Sequence, residues 1–384
     1  MALLERIAAT QLPNTLGDVP VLTKEDFARQ AQASSAPLQF ATSNSKVPAP
    51  YARPAHMGGL TADAFRLAGM TPDDAQLNLA APAPHASAWM AQQGANAIGA
   101  SLLNRDFTDW ERPVRAETAH EATVLSSIPA KALELADEVE SSHGPPAEVF
   151  PNLEVGFFTG HLLRPGTRRE LCERWGLETT REFYGSSEAG MVAGAVDDSR
   201  RMVPLLHRLV LEIETEDGII DIRDLTEPTE GSLLITDPAR TAITLRRYRQ
   251  GDWVRVYPAE PLPLITPLGR SDDAVDFDGA LLHPGDLFDA VTEVFPTASN
   301  ATAVVDDEDR PVSMQVYLEG VSDPNTEAFY EALCDRQPAL RHAVGEGPAG
   351  RITTTALGDL DELPFDVSDG LKEQAIVFSS ERPV

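Results

Sequence analysis

Residues 153–190 read LEVGFFTGHLLRPGTRRELCERWGLETTREFYGSSEAG. Two stretches, residues 153–160 and 179–185, each end at a glycine and have the length of strands. The charged stretch between them begins at a proline and predicts a helix. Because a crossover helix joins parallel strands of one sheet, this passage predicts an α/β fold.

The same alternation runs through the residues before this passage. Residues 78–103 have the pattern of strand, loop, helix and strand, and residues 124–142 have that of a short strand followed by an amphipathic helix. Thr23, with an acidic residue in the turn after it, predicts the start of a helix over residues 23–33. The sequence therefore predicts a parallel sheet covered by helices.

The pattern changes after Gly190. Short β segments separated by turn residues predict a smaller antiparallel sheet or barrel attached to the α/β part. A polar turn at residues 269–279 precedes about a hundred residues that alternate helices and strands. We therefore predict a large α/β domain with an appended β subdomain, residues 1–269, and a small, mobile α+β domain, residues 270–384.

The net charge of −29 restricts the partners of this chain. So acidic a surface repels nucleic acid and anionic lipid. The 60 acidic residues are scattered, and only four lysines (Lys24, Lys46, Lys131 and Lys372) accompany 27 arginines. Salt at about 1 M screens charges over about 3 Å, so this surface suits a protein dissolved in high salt better than a moderately acidic mesophilic one. Such usage resembles that of haloarchaeal cytoplasmic proteins.

Cysteines and hydropathy exclude several classes of protein. Cys172 and Cys334 lie too far apart in sequence to suggest a disulfide framework or a zinc site. The N-terminal stretch carries Glu5 and Arg6, unlike the apolar core of a signal peptide. No run of about 18 apolar residues predicts a membrane span. We expect a cytoplasmic protein.

Three short stretches contain the residues that indicate a function. In residues 183–190, FYGSSEAG, an aromatic ring, two glycines, two hydroxyls and one carboxylate are the groups that a nucleotide with Mg²⁺ needs. In residues 248–254, YRQGDWV, a glycine presents Asp252, a carboxylate able to accept both hydroxyls of a ribose. Residues 268–273, LGRSDD, lie at the predicted domain boundary. Each stretch alone is equally compatible with an ordinary turn.

In this order and spacing the three stretches resemble the adenylate-forming superfamily of acyl-CoA ligases, luciferases and peptide-synthetase adenylation domains. Its phenylacetate-CoA ligase branch, with YG-x-x-E, Y-R-x-G-D and G-R-S-D-D motifs, is the most similar. The resemblance covers about residue 37 to the end of the chain. It implies ATP, Mg²⁺ and coenzyme A as cofactors and substrates.

The resemblance also implies a role for each matching residue. Tyr184 would lie against the adenine beside Gly185, and Glu188 would bind Mg²⁺ and take part in catalysis. Asp272 or Asp273 would be the hinge about which the small domain rotates. The remaining implied nucleotide contacts are Ser186 and Ser187 at phosphate, Asp252 at the ribose hydroxyls, Arg270 near the ribose, and Gly160 in the adenine loop.

Two further candidates depend on looser matches. Lys372, in LPFDVSDGLK, lies near the position of the family's catalytic lysine, where an ammonium neutralises developing negative charge. The arginine of that motif is Phe365 here, and a surface lysine is the alternative. His85 lies where the family often has a ring that gates substrate, although a lone histidine is more often a structural hydrogen-bonding group.

One departure concerns the phosphate loop. The family sequence T-S-G-T-T-G-K-P corresponds here to residues 42–48, TSNSKVP, which lacks both glycines and is one residue shorter. Asn44 tolerates a left-handed conformation, so the loop can still close. The expected donors to phosphate are Thr42, Ser43, Ser45 and Lys46. The alternative is that phosphate binding has been lost.

The function that follows is ATP-dependent activation of a carboxylic acid to an acyl-adenylate, with transfer to coenzyme A. Three alternatives remain open: an amide-forming or cofactor-adenylating ligase, an acyl-protein synthetase, and a catalytically decayed homologue that binds nucleotide. Aryl, phenylacetyl and medium-chain acids all fit. The sequence leaves the oligomeric state open, a homodimer included.

Overall fold

The structure is a computed structural model. It describes residues 2–34, 40–41, 48–49, 54–80, 85–104, 121–240, 243–277, 279–306, 313–345, 347–348, 351–358, 363, 368–369, 372–373 and 376–378. The chain folds into two compact units, the first formed by Met1–His161 with Leu171–Pro267 and the second by Leu162–Glu170 with Leu268–Val384. The domains proposed from sequence, 1–269 and 270–384, differ from these units at residues 162–170 and 268–269. Their roles as functional domains stay a prediction.

The described helices and strands alternate along the first half of the chain. In chain order the helices are α1 (Ala2–Ala9), α2 (Lys24–Ala33), α3 (Pro54–Leu67), α4 (Ser87–Ile98), α5 (Pro129–His143), α6 (Pro146–Val149), α7 (Pro165–Trp175), α8 (Pro284–Val294), α9 (Thr326–Arg336) and α10 (Leu340–Val344). The strands of the first half are β1 (Phe40–Ala41), β2 (Pro48–Ala49), β3 (Ala75–Asn78), β4 (Ser101–Asn104), β5 (Val124–Ser127), β6 (Val155–Thr159) and β7 (Thr179–Ser186).

The central parallel strands are buried. All residues of β3 and β5 are buried, as are the three central residues of β6. Strands β4, β3, β5, β6 and β7 lie side by side, and each neighbouring pair is parallel. Because their connections include helices α4, α5 and α7, the α/β class predicted from sequence is confirmed.

The strands after Gly190 continue the same sheet. They are β8 (Gly190–Ala195), β9 (Met202–Pro204), β10 (Val210–Thr215), β11 (Gly218–Asp221), β12 (Thr229–Asp237), β13 (Leu245–Tyr257) and β14 (Leu264–Arg270). Strands β3 to β14 form one sheet, in the order β11-β10-β12-β13-β14-β9-β8-β7-β6-β5-β3-β4. The antiparallel part is therefore no separate sheet, because the tight turn after β7 returns the chain as β8 along its edge.

The second unit has its own core and a smaller sheet. Its strands are β15 (Val275–Phe277), β16 (Ala280–Leu282), β17 (Asn300–Val305), β18 (Met314–Glu319), β19 (Ile352–Leu357), β20 (Ser368–Asp369), β21 (Lys372–Glu373) and β22 (Ile376–Phe378). Four of them form a mixed sheet in the order β19-β18-β17-β22. Buried residues of α8 and α9, such as Leu287 and Phe329, belong to the same core as Val316 of β18. This is the α+β arrangement expected from sequence.

The N-terminal segment contacts the sheet through a backbone bridge and through the side chains of Arg247 and Asn14. Leu22 pairs with β13 at Tyr248 in an isolated parallel bridge. Arg247 contacts Glu212 through two hydrogen bonds of 2.9 Å and also donates to the carbonyl of Val19 at 2.8 Å. Asn14 donates to the same Glu212 carboxylate at 2.9 Å. Residues 14–22 are thus held against strands that lie about two hundred positions later in the sequence.

Candidate functional site

The turn between β7 and β8 requires its glycines. A Cβ at Gly185 would lie 2.4 Å from the carbonyl oxygen of Gly190 across the hairpin. Gly190 itself has a φ of +78°, and a Cβ there would lie 2.5 Å from Cε of Met57. The Oγ of Ser186 accepts a hydrogen bond of 3.0 Å from the amide of Ala189 and closes the turn. The hairpin therefore fixes the backbone on both sides of Glu188, whose side chain is buried.

A bulge in β13 presents the second motif. Ser232 of β12 pairs with Trp253, whereas Leu234 pairs with Arg249, so residues 250–252 stand opposite Leu233 alone. Gly251 has a φ of +98°, a conformation that side chains other than that of glycine rarely allow. Bulges of this kind redirect side chains out of the normal alternation of a strand. The glycine of the sequence motif therefore has a structural reason.

The first two motifs meet at one carboxylate. The hydroxyl of Tyr184 donates to Oδ2 of Asp252 at 2.7 Å, and Nε2 of Gln250 donates to the same oxygen at 2.5 Å. Tyr184 and Gln250 are 8% and 6% exposed, so both donors act in a mostly water-free setting. Two residues separated by 68 positions are thus in direct contact.

A further group of residues at this hairpin was missed in the sequence. The guanidinium of Arg240, which is buried, donates from Nη1 to the carbonyl oxygen of Glu188. Arg240 follows a turn in which the amide of Ala239 donates to Oδ1 of Asp237 at 3.0 Å. Oδ2 of the same buried Asp237 lies 2.9 Å from Nε2 of His56 in α3. The dipeptide Asp237-Pro238 signals a turn, but nothing in the sequence indicates its partners.

The burial of Asp237 determines which contacts its carboxylate needs. Asp237 is 1% exposed, and a carboxylate so far from water needs donors to remain stable. His56 and Ala239 supply them. Asp237 and Arg240, the two buried residues of this turn, thus connect α3 to the backbone at Glu188.

The other candidates of the first unit lie at ends of strands and helices. Gly160 follows β6, is exposed, and has a φ of +85°. His85 precedes α4 and is partly exposed. Ser187 lies in the turn with Glu188. Within the described part of the chain, neither Gly160 nor His85 is hydrogen-bonded to Asp252, so their roles stay predictions.

The hinge and the lysine belong to the second unit. Arg270 ends β14 and pairs with Asp272 at 3.0 Å. Asp272 and Asp273 lie in a short 3-10 turn, Ser271–Asp273, and both are exposed. Lys372 begins β21, which pairs with β20. Arg270 and Lys372 thus belong to the second unit, whereas Tyr184 and Asp252 belong to the first.

The phosphate-loop candidates lie outside the described residues. These are Thr42, Ser43, Ser45 and Lys46. The strands on either side, β1 and β2, pair antiparallel, with Ala41 opposite Pro48. The predicted role of the loop stays a prediction.

The residues fit Mg²⁺ only as an ion that arrives with a nucleotide. Among the described residues, no group of three or more His, Cys, Asp or Glu side chains is placed to hold a metal ion. Glu188 offers one carboxylate. One or two carboxylates together with substrate phosphates are the usual ligands of Mg²⁺ in nucleotide sites. Glu188 would therefore bind Mg²⁺ together with the phosphates of a nucleotide.

Comparisons with known proteins agree with the motifs. No family profile matches the chain. The phenylacetate-coenzyme A ligase of Pseudomonas putida is 26% identical over 221 residues, 53% of this chain and 46% of that protein. The protein of the same name from Escherichia coli (strain K12) is 24% identical over 271 residues, 66% of this chain and 58% of that protein. The chain thus spans about half the length of these two ligases.

A solved structure shows the same fold. The crystal structure of 2-hydroxyisobutyryl-CoA ligase in the postadenylation state with 2-HIB-AMP matches with a TM-score of 0.67 and 16% identity. The match covers 94% of this chain and 80% of that one. The resemblance to adenylate-forming ligases predicted from three motifs is confirmed, at distant identity. None of the described helices combines the length and apolar character that crossing a membrane requires.

Proposed function

We propose, from a fold shared with adenylate-forming ligases and from two of their motifs in contact, that this chain activates a carboxylic acid with ATP. The acid becomes an acyl-adenylate, and its acyl group then passes to coenzyme A. The contact between Tyr184 and Asp252 is the observation that carries the proposal. It brings together the residues that the family resemblance assigns to adenine and ribose, although they lie on strands from different parts of the sequence.

In the first half-reaction a carboxylate oxygen of the acid attacks the α-phosphorus of ATP. The bond from that phosphorus to the oxygen bridging the α- and β-phosphates breaks, and pyrophosphate leaves. We assign Asp252 to the ribose hydroxyls and the Tyr184 ring to the adenine. Bound Mg²⁺ would supply charge neutralisation at the phosphates, with Glu188 as its protein ligand. Fixing both reactants in this way lowers the entropic part of the barrier.

In the second half-reaction the sulfur of coenzyme A, as a thiolate, attacks the acyl carbonyl. A carbon–sulfur bond forms, the bond from carbon to the phosphate oxygen breaks, and AMP leaves. The thiol proton passes to solvent. We assign Lys372 a role in the adenylation half-reaction, in which its ammonium would offset negative charge on the acid and the α-phosphate. Asp272 and Asp273 are proposed as the pivot between the two half-reactions.

A pyrophosphate-exchange assay tests this proposal. Purified protein in about 2 M KCl is incubated with labelled pyrophosphate, MgATP and a panel of aryl, phenylacetyl and medium-chain acids. Acid-dependent label in ATP without coenzyme A demonstrates adenylation, and a coenzyme A-dependent thioester then identifies the acceptor. The salt reflects the proposed habitat, the salt-rich cytoplasm of a halophile.

The same assay separates the alternatives. Exchange followed by transfer to an amine, a hydroxyl or a protein thiol, with no thioester of coenzyme A, would indicate one of the other ligase classes. ATP binding with no exchange for any acid would indicate a decayed homologue. The glycine-poor residues 42–48 motivate that last alternative.

A further inference from the structure

Gln250 occupies the position that the Y-R-x-G-D motif leaves variable. It lies in the β13 bulge, two residues before Asp252, and is 6% exposed. Its Nε2 donates to Oδ2 of Asp252 at 2.5 Å and lies 3.4 Å from the hydroxyl oxygen of Tyr184. The side chain is therefore part of the cluster that the two motifs form.

The orientation of this amide is fixed by chemistry. An ionised carboxylate only accepts hydrogen bonds, so the amide atom that faces Asp252 must be the nitrogen. The oxygen, Oε1, is then directed elsewhere. It is buried and has no hydrogen-bond partner among the residues that the structure describes.

A buried acceptor without a partner costs stability, so such a group in a native protein calls for an explanation, of which a role at a functional site is one. The acceptor here is neutral and lies beside the carboxylate proposed for the ribose. The two neighbouring hydroxyls of a ribose are neutral donors, so one sugar ring can donate to Asp252 with one hydroxyl and to Oε1 with the other. An aliphatic group at the same place would leave Oε1 without a partner.

We propose that Gln250 is a specificity-determining residue, which selects ribonucleotides by accepting a hydrogen bond from a ribose hydroxyl at Oε1. The inference rests on the proposed function, since it places an adenine nucleotide at Asp252. Gln250 has a second role, because its Nε2 and the Tyr184 hydroxyl together hold one oxygen of the Asp252 carboxylate. Nucleotides that lack the bonded hydroxyl are then rejected, because binding them buries an unsatisfied oxygen.

Calorimetric titration in about 2 M KCl tests this with AMP, 2′-deoxy-AMP and 3′-deoxy-AMP. We expect the wild-type protein to bind AMP about 10- to 100-fold more tightly than at least one deoxynucleotide. Gln250→Met should lower that ratio at least fivefold, mainly through weaker AMP binding. Tyr184→Phe, the matched variant, removes the other donor to Asp252 but leaves Oε1 in place. It should weaken all three ligands and keep most of the ratio.

The outcomes separate the two proposals. If the wild type binds AMP but both deoxynucleotides match it within twofold, the role of Gln250 is overturned while the proposed function stands; this result needs no variant. An unchanged ratio in a folded Gln250→Met or Gln250→Ala protein overturns it as well. If neither AMP nor ATP binds the wild type, the proposed function and this inference both fall.

Discussion

At Asp252, hydrogen bonds from Tyr184 and Gln250 reach one carboxylate oxygen from two different strands. The carboxylate therefore has a fixed orientation without a ligand, and binding need not order it. Preorganised acceptors bind hydroxyl groups with less loss of entropy than mobile side chains do. This geometry makes Asp252 the residue at which the proposed function is most directly tested.

We expect Asp252→Asn to weaken ATP binding about 10- to 100-fold, because a hydrogen bond to a charged group contributes about 1.5–3 kcal/mol. Calorimetric titration with ATP measures the change. Asp217→Asn, in the exposed turn after β10, is the matched control and should leave affinity unchanged. Equal affinities in all three proteins would argue against a nucleotide at Asp252.

The carboxylate of Asp63 in α3 is buried and belongs to an ion-pair cluster. It accepts hydrogen bonds from His207 at 2.8 Å, Arg208 at 2.9 Å and Arg6 at 3.0 Å. Burial alone would raise the pKa of Asp63, but the bonds from His207 and Arg208 and the charge of Arg208 outweigh it. The pKa therefore lies well below its ordinary value.

This shift predicts a pH dependence of stability. A carboxyl with a lowered pKa in the folded state stabilises the protein fully above the unfolded pKa, about 3.9. That contribution is lost as the pH falls through the folded pKa. We expect Asp63→Asn to lower the free energy of unfolding by about 3–5 kcal/mol at pH 7, because its cations lose their partner. Denaturant titrations below pH 4 should show a smaller difference between wild type and variant, and a constant difference would contradict the cluster.

The sequence indicated the candidate site residues, but it did not indicate the residues that contact them. Tyr184, Glu188 and Asp252 were recognisable because glycines and aromatic residues at fixed spacing mark them. His56, Asp237 and Arg240 were not, since their contacts join positions 52 to 181 residues apart and depend on how three elements pack. Long-range side-chain contacts leave no periodic signal.

The hairpin β7–β8 and the bulge in β13 are the two elements that position the site. In each, a glycine has a positive φ, a backbone conformation that other residues rarely adopt. At Gly190 the φ is +78°, and a Cβ would lie 2.5 Å from Cε of Met57. The hairpin that carries Glu188 therefore depends on a residue with no functional group of its own.

Gly190→Ala should destabilise the first unit by about 1–3 kcal/mol through left-handed strain and the contact with Met57. Denaturant unfolding followed by tryptophan fluorescence measures it. Gly59→Ala in α3 is the matched control, because its nearest neighbour would be 3.4 Å away and helical alanine is favoured over glycine. If both variants were equally stable, the strain assigned to the turn would be absent.

Element types were largely predictable, but their assembly was not. The helix after Thr23 was expected, and it begins with a capping box between Thr23 and Asp26. The strands after Gly190 were expected as a separate sheet, yet they extend the central one. Local patterns give strand positions, whereas the edge on which a strand pairs is decided by packing across the whole fold.

Across the whole molecule, 60 acidic residues against 31 basic ones make repulsion a general feature of the folded state. Arginines offset part of it in local pairs, such as Arg247 with Glu212 and Arg249 with Glu214. Partly exposed pairs such as Arg249 with Glu214 each contribute little. Screening by salt is therefore the main term that relieves the remaining repulsion.

We expect the free energy of unfolding to rise between 0.2 M and 2 M KCl. A variant that removes four exposed charges, Glu216→Gln, Asp217→Asn, Asp224→Asn and Glu227→Gln, should be more stable than wild type at 0.2 M and gain less from salt. Denaturant titrations in urea at both salt concentrations give the comparison. Glycerol in place of KCl controls for effects of excluded cosolvent. An identical salt response in the two proteins would remove the electrostatic explanation.

The contacts of residues 14–22 have a consequence for synthesis on the ribosome. Val19 accepts its hydrogen bond from Arg247, which is translated 228 residues later. At about 5–20 residues per second, the early segment waits roughly 10–50 seconds for its partner strand. Residues 14–22 can therefore take their native place only after β13 has been made.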